Sequence, residues 1–312
     1  GFGSKAVNGE SAIAVGLKAN STGASTIAIG NATQAINTNA TAIGANASAQ
    51  DISSMALGTN ANAVGSYSIS MGANSLARGI NSTVIGTNAL ACGTNATAIG
   101  INVRNEAIGA IAIGNSTYIG SGGIGSVAIG ENTYSTGANN TVIGSNARTN
   151  SYNAVVIGAH SNTSAYGVAV GYLAKGHGTD VAIGACATAG TVDPMNPNHF
   201  WGGSVAVGQN ANAAVLGGTA ISLSAKAGNN YATAVGISAN ATGDSAIAMG
   251  SSALTNGKEA IAIGNQSQAL ANNTIAIGTG NIVGGENSGA IGDPSIVNAT
   301  NSYSVGNNNN LA

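Results

Sequence analysis

A short phrase of alternating large and small side chains recurs along the chain and closes on glycine: IAVG ending at Gly16, IAIG at Gly30, TAIG at Gly44, MALG at Gly58 and ISMG at Gly72. The residue before the closing position is Ile, Val, Leu or Met, as in Val15, Ile29, Ile43, Leu57 and Met71, and two positions earlier stands Ile, Val, Thr or Met in most repeats. Ala usually separates the two, as in Ala14, Ala28 and Ala42. A period of two predicts a strand with two distinct faces, and the β-branched residues on the large face agree with it. Small residues alternate again three and five positions after the glycine, as in Ala19 and Ser21, Ala47 and Ala49, Ala61 and Ala63. Asn and Gly fill the intervening stretches, where tight corners call for left-handed backbone angles.

The phrases close at 21 positions from Gly16 to Gly306, with Ser224 taken as the closing residue once, and fourteen of the twenty intervals are 14 residues long. One coil is therefore expected to be two short strands and two turns, and coils stacked in register give two parallel sheets. The expected fold is an all-β parallel β-solenoid of about 21 coils, a single domain over residues 1–312, roughly 100 Å long at the usual strand spacing. None of the 18 charged residues falls one or three positions before the closing residue, or three or five after it, so these four columns are expected to be buried. The large side chains of the first strand are expected to fill the coil against the small ones of the second, with the opposite assignment of the first strand's faces left open. The other face of that strand, with Ala12 and Ala14 or Ala246 and Ala248, also lacks charge apart from Asp180. Both faces therefore read as covered, and so thin a coil is marginal alone, which predicts symmetric association of several chains.

The repeat breaks between Gly184 and Gly208, an interval of 24 residues that adds Asp193, Pro194, Pro197, His199, Phe200 and Trp201. A loop over about 185–203 is expected there, with His199, Phe200 and Trp201 as the candidate ligand-binding residues, because aromatic side chains dominate contact energies. The same aromatics folded back over a coil edge or a neighbouring chain would serve packing instead. The 16-residue interval around Tyr118 to Gly130 and the stretch Leu216 to Ser224 are expected to be small bulges.

Composition narrows the function. The 312 residues include 48 Gly, three Pro and 4% aromatics, and the net charge is −2, so no basic surface exists to neutralise a nucleic-acid backbone. No apolar run approaches the roughly 18 to 20 residues of a membrane span, so the segment is expected to be soluble and without membrane contact. The start has no charged, apolar and cleavage-site succession, which is the expectation for a mature or excised segment.

Chemistry-bearing patterns are weak. Gly120, Gly122 and Gly125 match a dinucleotide fingerprint, but a strand pattern, SVAIG, follows where a helix should, and no acidic residue stands about 20 positions on. His160, His177 and His199 have no partner at metal-ligand spacing. Cys92 and Cys186 lie seven coils apart, too far to bridge within a solenoid, and are read as small apolar fillers. The ten acidic residues are scattered singly, and adjacent Lys258 and Glu259 read as a solvated corner rather than a catalytic pair. Asn-x-Ser/Thr triplets such as Asn20-Ser21-Thr22 and Asn31-Ala32-Thr33 follow from the use of Asn at corners. No catalytic residue, cofactor or metal is expected.

The repeats SAIAVG, STIAIG, SVAIG and DSAIAMG at 14-residue spacing, with Asn and Ala after the glycine, resemble the head domains of trimeric autotransporter adhesins, the YadA-like family, over essentially the whole chain. The terminal stretch SGAIGDPSIVNATNSYSVGNNN, about residues 290–312, resembles the segment that closes such heads toward a neck. The resemblance implies a left-handed parallel β-roll assembled as a homotrimer. It also implies display on the bacterial surface, anchored in the outer membrane through stalk and anchor regions that this chain lacks. The function it implies is non-enzymatic, multivalent adhesion to host matrix proteins, cell receptors or other surfaces, a virulence role. An ice-binding solenoid would need a uniform outward Thr ladder, and no outward column supplies one. A polysaccharide-processing β-helix would need grouped carboxylates. A hexapeptide-repeat acyltransferase has the wrong period.

Overall fold

The computed structural model describes residues 2–7, 10–164, 166–192 and 200–312. They form two compact units, Gly1–Ala154 and Val155–Ala312. Each unit is a parallel β-solenoid, and together they contain about 21 turns with no helix among the described residues. In the first unit, ten three-residue strands from Ile13–Val15 to Thr141–Ile143 build one sheet, and two-residue strands from Lys5–Ala6 to Arg148–Thr149 build the other. The second unit repeats the plan, with three-residue strands from Val155–Ile157 to Tyr303–Val305 and two-residue strands from Asn162–Thr163 to Asn310–Leu311. Residues 290–312 carry on the coils: Gly289–Ile291 pairs in register with Tyr303–Val305.

Register follows the 14-residue repeat. Ile27 lies beside Thr41, Ala28 beside Ala42 and Ile29 beside Ile43. A slip of one residue would turn every side chain to the other face, so where coil length varies the corners absorb the difference and the strands stay in register. The closing glycine is required by how closely the coils approach. Gly30 has φ +138, and a Cβ there would stand 2.5 Å from the carbonyl oxygen of Gly44. The corners use residues in the left-handed region, often Asn, as at Asn39 with φ +59 and Asn46 with φ +56. Successive corner amides also bond one another: Asn60 Nδ2 donates to Asn74 Oδ1 at 3.0 Å, and Asn74 Nδ2 to Asn88 Oδ1 at 3.1 Å.

The interior corrects the expected facing of the first strand. Ala28, Ala42 and Ala56 are fully buried, whereas Ile29 and Ile43 are exposed by 38% and 39%. The four inward columns lie two and four positions before the closing residue and three and five after it, as in Thr26, Ala28, Thr33 and Ala35. Two of the four columns expected to be buried are therefore interior, and the other two form an outer face. A coil that turns twice in 14 residues holds its sheets so close that methyl groups and small hydroxyls fill the gap. The largest buried side chain, Ile119, is exceptional in a core that is mostly Ala. Some buried polar residues are tied in: Asn105 Nδ2 donates to the carbonyls of Thr97 and Ala110 at 2.9 and 2.8 Å.

The irregular intervals resolve individually. In the second unit Ser222, not Ser224, closes its phrase, because Thr219–Ile221 pairs with Val205–Val207 and with Thr233–Val235 at full 14-residue offsets. The stretch Leu216 to Ser224 therefore contains no bulge. The 16-residue interval keeps Ile111 beside Val127, and its extra residues go into an added turn at 121–122. The 24-residue interval keeps Val181 beside Val205, while Thr191–Val192 and Phe200–Trp201 pair antiparallel as a two-stranded ribbon inserted between them.

Candidate functional site

The residues singled out as ligand candidates sit on this insertion. Phe200 and Trp201 form one strand of the ribbon, opposite Val192 and Thr191, and His199 lies outside the described residues. The other histidines are scattered: His160 is exposed, with its ring edge against Tyr172 at 6.0 Å, and His177 is half-buried. Cys92 and Cys186 are free thiols, and Cys186 is exposed, so it is no apolar filler. Gly120, Gly122 and Gly125 occupy turns, and the strand Val127–Ile129 follows them. Lys258 and Glu259 form an exposed ion pair at 3.4 Å, a solvated corner as the sequence implied. Among the described residues no group of three or more His, Cys, Asp and Glu is placed to hold a metal.

What the geometry does create is an apolar face. In the first unit the residue before the closing position points outward in every coil, and pairing aligns Val15, Ile29, Ile43, Leu57, Met71 and Ile85 in one column. Two residues earlier a parallel column runs through Ile13, Ile27, Thr41, Met55, Ile69 and Thr83. Neither column carries a charge in either unit. In the second unit the first column passes through Ile221, Val235, Met249, Ile263 and Ile277. The side chains are large and half exposed, as in Met71 at 38% and Met249 at 41%. Contiguous exposed apolar surface is uncommon on a soluble monomer, which makes these columns a candidate contact face. The sequence pattern separates the two faces of this strand but suggests the opposite facing, because hydrophobicity ranks Ile above Ala while space, not hydrophobicity, decides what fits inside.

Two carboxylates respond to their surroundings in opposite directions. In the first unit Asp51 accepts bonds from the Ser66 hydroxyl at 2.8 Å and the Ile52 N–H at 2.8 Å. Led by the Ser66 bond, these hold its pKa below the ordinary 3.8. In the second unit Asp180 occupies an inward column and is fully buried. Burial pushes its pKa above 3.8, opposed in part by the Ser204 N–H that it accepts at 2.7 Å. Its Oδ2 has no hydrogen-bond partner, and it lies 1.7 Å from where a Cβ on Gly190 would be, so that position admits only glycine. Asp180 thus stands in the coil from which the ribbon leaves, holding the N–H of the residue at which the coil resumes.

A family model described as the YadA head domain repeat (2 copies) matches residues 8–33, 21–47, 35–61, 52–75, 77–102, 121–147, 227–253 and 256–281, more than half of the chain. Among solved structures, the collagen-binding domain of the Yersinia adhesin YadA is similar at 25% identity over 51% of this chain and 68% of that one, with a TM-score of 0.30. Curated proteins yield no match.

Proposed function

Because the chain belongs to the YadA head-repeat family, an adhesin-type head, we propose that it works as a homotrimer displayed on a bacterial surface. Its task is to attach, without catalysis, to host matrix proteins, cell receptors or other surfaces. The observation that carries this reading is the pair of charge-free, in-register apolar columns on the outside of the three-residue strands. Three copies meeting on this face would cover Ile29, Ile43 and their equivalents and leave the two-residue strands and the corners open to solvent. Two open hollows are seen among the described residues, one of about 240 Å³ between Gly280, Pro294 and Asn308 and one of about 370 Å³ between Gly3, Lys18 and Gln34. Repetition replaces the pocket, since many weak equivalent contacts on three chains give avidity. Left-handed winding, a stalk and an outer-membrane anchor complete the reading as family properties.

The test is adhesion of the purified chain to immobilised collagen, fibronectin and laminin, compared with versions lacking one 14-residue coil or lacking Thr191 to Trp201. Distributed binding predicts a modest loss for any single coil. Abolition of binding by removing one coil remote from the ribbon, with the fold intact, would contradict it.

A further inference from the structure

On the outer face of the two-residue strands in the first unit, four consecutive coils place Arg104, Tyr118, Tyr134 and Arg148 side by side in one column. Their neighbours Asn105, Ile119, Ser135 and Thr149 are buried, so the four long side chains face outward. The tyrosine rings stack with centroids 5.3 Å apart and planes inclined by 27°, and Tyr134 is 39% exposed. Gly120 keeps the floor beside them clear, since a Cβ there would come within 3.3 Å of the Tyr118 hydroxyl oxygen and 3.1 Å of Thr136 Cγ2. Arg104 is satisfied internally: its Nε donates to Glu106 Oε1 at 2.5 Å, and the Tyr118 hydroxyl donates to Glu106 Oε2 at 3.4 Å. Arg148 is exposed and makes no ion pair or side-chain hydrogen bond among the described residues. The column therefore presents a stacked pair of rings, Tyr134 the more exposed, with an uncommitted guanidinium at one end and, at the other, one held by a single carboxylate.

We propose that this column is a binding site for an acidic glycan, in which a sugar packs against the exposed ring of Tyr134 in the stacked pair and a carboxylate or sulfate group meets Arg148. The inference builds on the adhesive reading of the head and names one class of ligand for it. Charge selects an anion, because the cluster of Arg104, Arg148 and Glu106 is net positive on a chain whose overall charge is −2. The exposed ring of Tyr134 offers apolar surface to the C–H face of a sugar. The strands of Tyr118 and Tyr134 are each paired on both sides, so no edge is free to receive a peptide strand. At the usual strand spacing, Arg104 and Arg148 are roughly 14 Å apart, a span that matches a short run of sugars rather than a single ion. The face lies opposite the apolar columns, so covering those leaves this site open.

The experiment is surface binding of the full chain to immobilised heparin, hyaluronan, neutral dextran and poly-glutamate at low and high salt, with thermal melts to verify folding of each variant. The expected result is salt-sensitive binding to heparin and hyaluronan well above dextran, weakened about tenfold by Tyr134→Ala and by Arg148→Ala. Glu106→Gln releases Arg104 and should tighten binding severalfold. Equal binding to dextran, indifference to both Tyr134→Ala and Arg148→Ala, or poly-glutamate held as tightly as heparin would each overturn the proposal. Adhesion to matrix proteins is measured on the same variants. Retained adhesion without glycan binding would remove this site and leave the adhesive reading standing.

Discussion

Ser222 stands in the closing column directly after Gly208, and its carbonyl oxygen lies 2.4 Å from the point that a Cβ on Gly208 would occupy. Gly208 and Gly236 take φ +134 and +132, and Ser222 follows them at φ +112, a region that side chains disfavour. Ser222→Gly should relieve this strain and stabilise the second unit by about 1 kcal/mol. Gly30→Ala should do the reverse and cost more, since its Cβ would collide with backbone that cannot move without breaking register. Thermal melts of the two variants check the pair. A lower melting temperature for Ser222→Gly would contradict the assignment of the column.

The facing of the three-residue strands can be tested by exchanging sizes. Ala42→Ile places a large side chain in the filled interior and should destabilise the chain by about 1 to 3 kcal/mol. Ile43→Lys leaves the coil interior untouched but puts charges into the outer columns. The expected outcome is a folded protein with a reduced assembly mass, read by circular dichroism and light scattering.

The corner amides give a graded series. Asn74 accepts from Asn60 and donates to Asn88 while holding φ +56. Asn74→Ala loses both bonds and adds left-handed strain, at a cost of about 1 to 2 kcal/mol. Asn74→Gly loses the bonds but keeps the backbone at ease, so it should cost less. Urea unfolding of both variants measures the order, and a larger loss for glycine would count against the backbone argument.

Acidity should act on the two units in opposite ways. Asp51 has a lowered pKa when folded, so its contribution is present above the unfolded value of 3.8 and is lost as pH falls through the folded value. Asp180 has a raised pKa, so its contribution is full below 3.8 and is lost as pH rises through the folded value. Melting temperatures across the acidic range should therefore show Asp180→Asn flattening the loss toward neutral pH and Asp51→Asn flattening the loss toward low pH. The same slope in both variants would contradict these assignments.

The repeat length, the two strands per coil and the parallel stacking were legible because 14-residue spacing and period-two alternation are properties of sequence alone. The facing was not. Ile29 and Ala28 lie on opposite faces that are both free of charge apart from Asp180, so the pattern separates the faces without saying which is inside. The deciding quantity is the gap between sheets, set by two tight corners, and the inward Thr33 and Asn105 are signs that this gap takes small and bonded side chains. Ser224 reads as a closing residue because Leu223 supplies the large side chain expected before it. Counting 14 from Gly208 gives Ser222. The column of Arg104, Tyr118, Tyr134 and Arg148 was equally hidden, since the uneven interval before Gly130 obscures that these residues share a register.

The mass of the purified chain in solution tests most directly whether the apolar columns are an association face. Light scattering should give about 90 kDa, three times the 29.7 kDa of one chain. A mass near 30 kDa at concentrations where the chain is folded would show that Ile29, Ile43 and their equivalents meet water rather than partner chains, and would contradict the account.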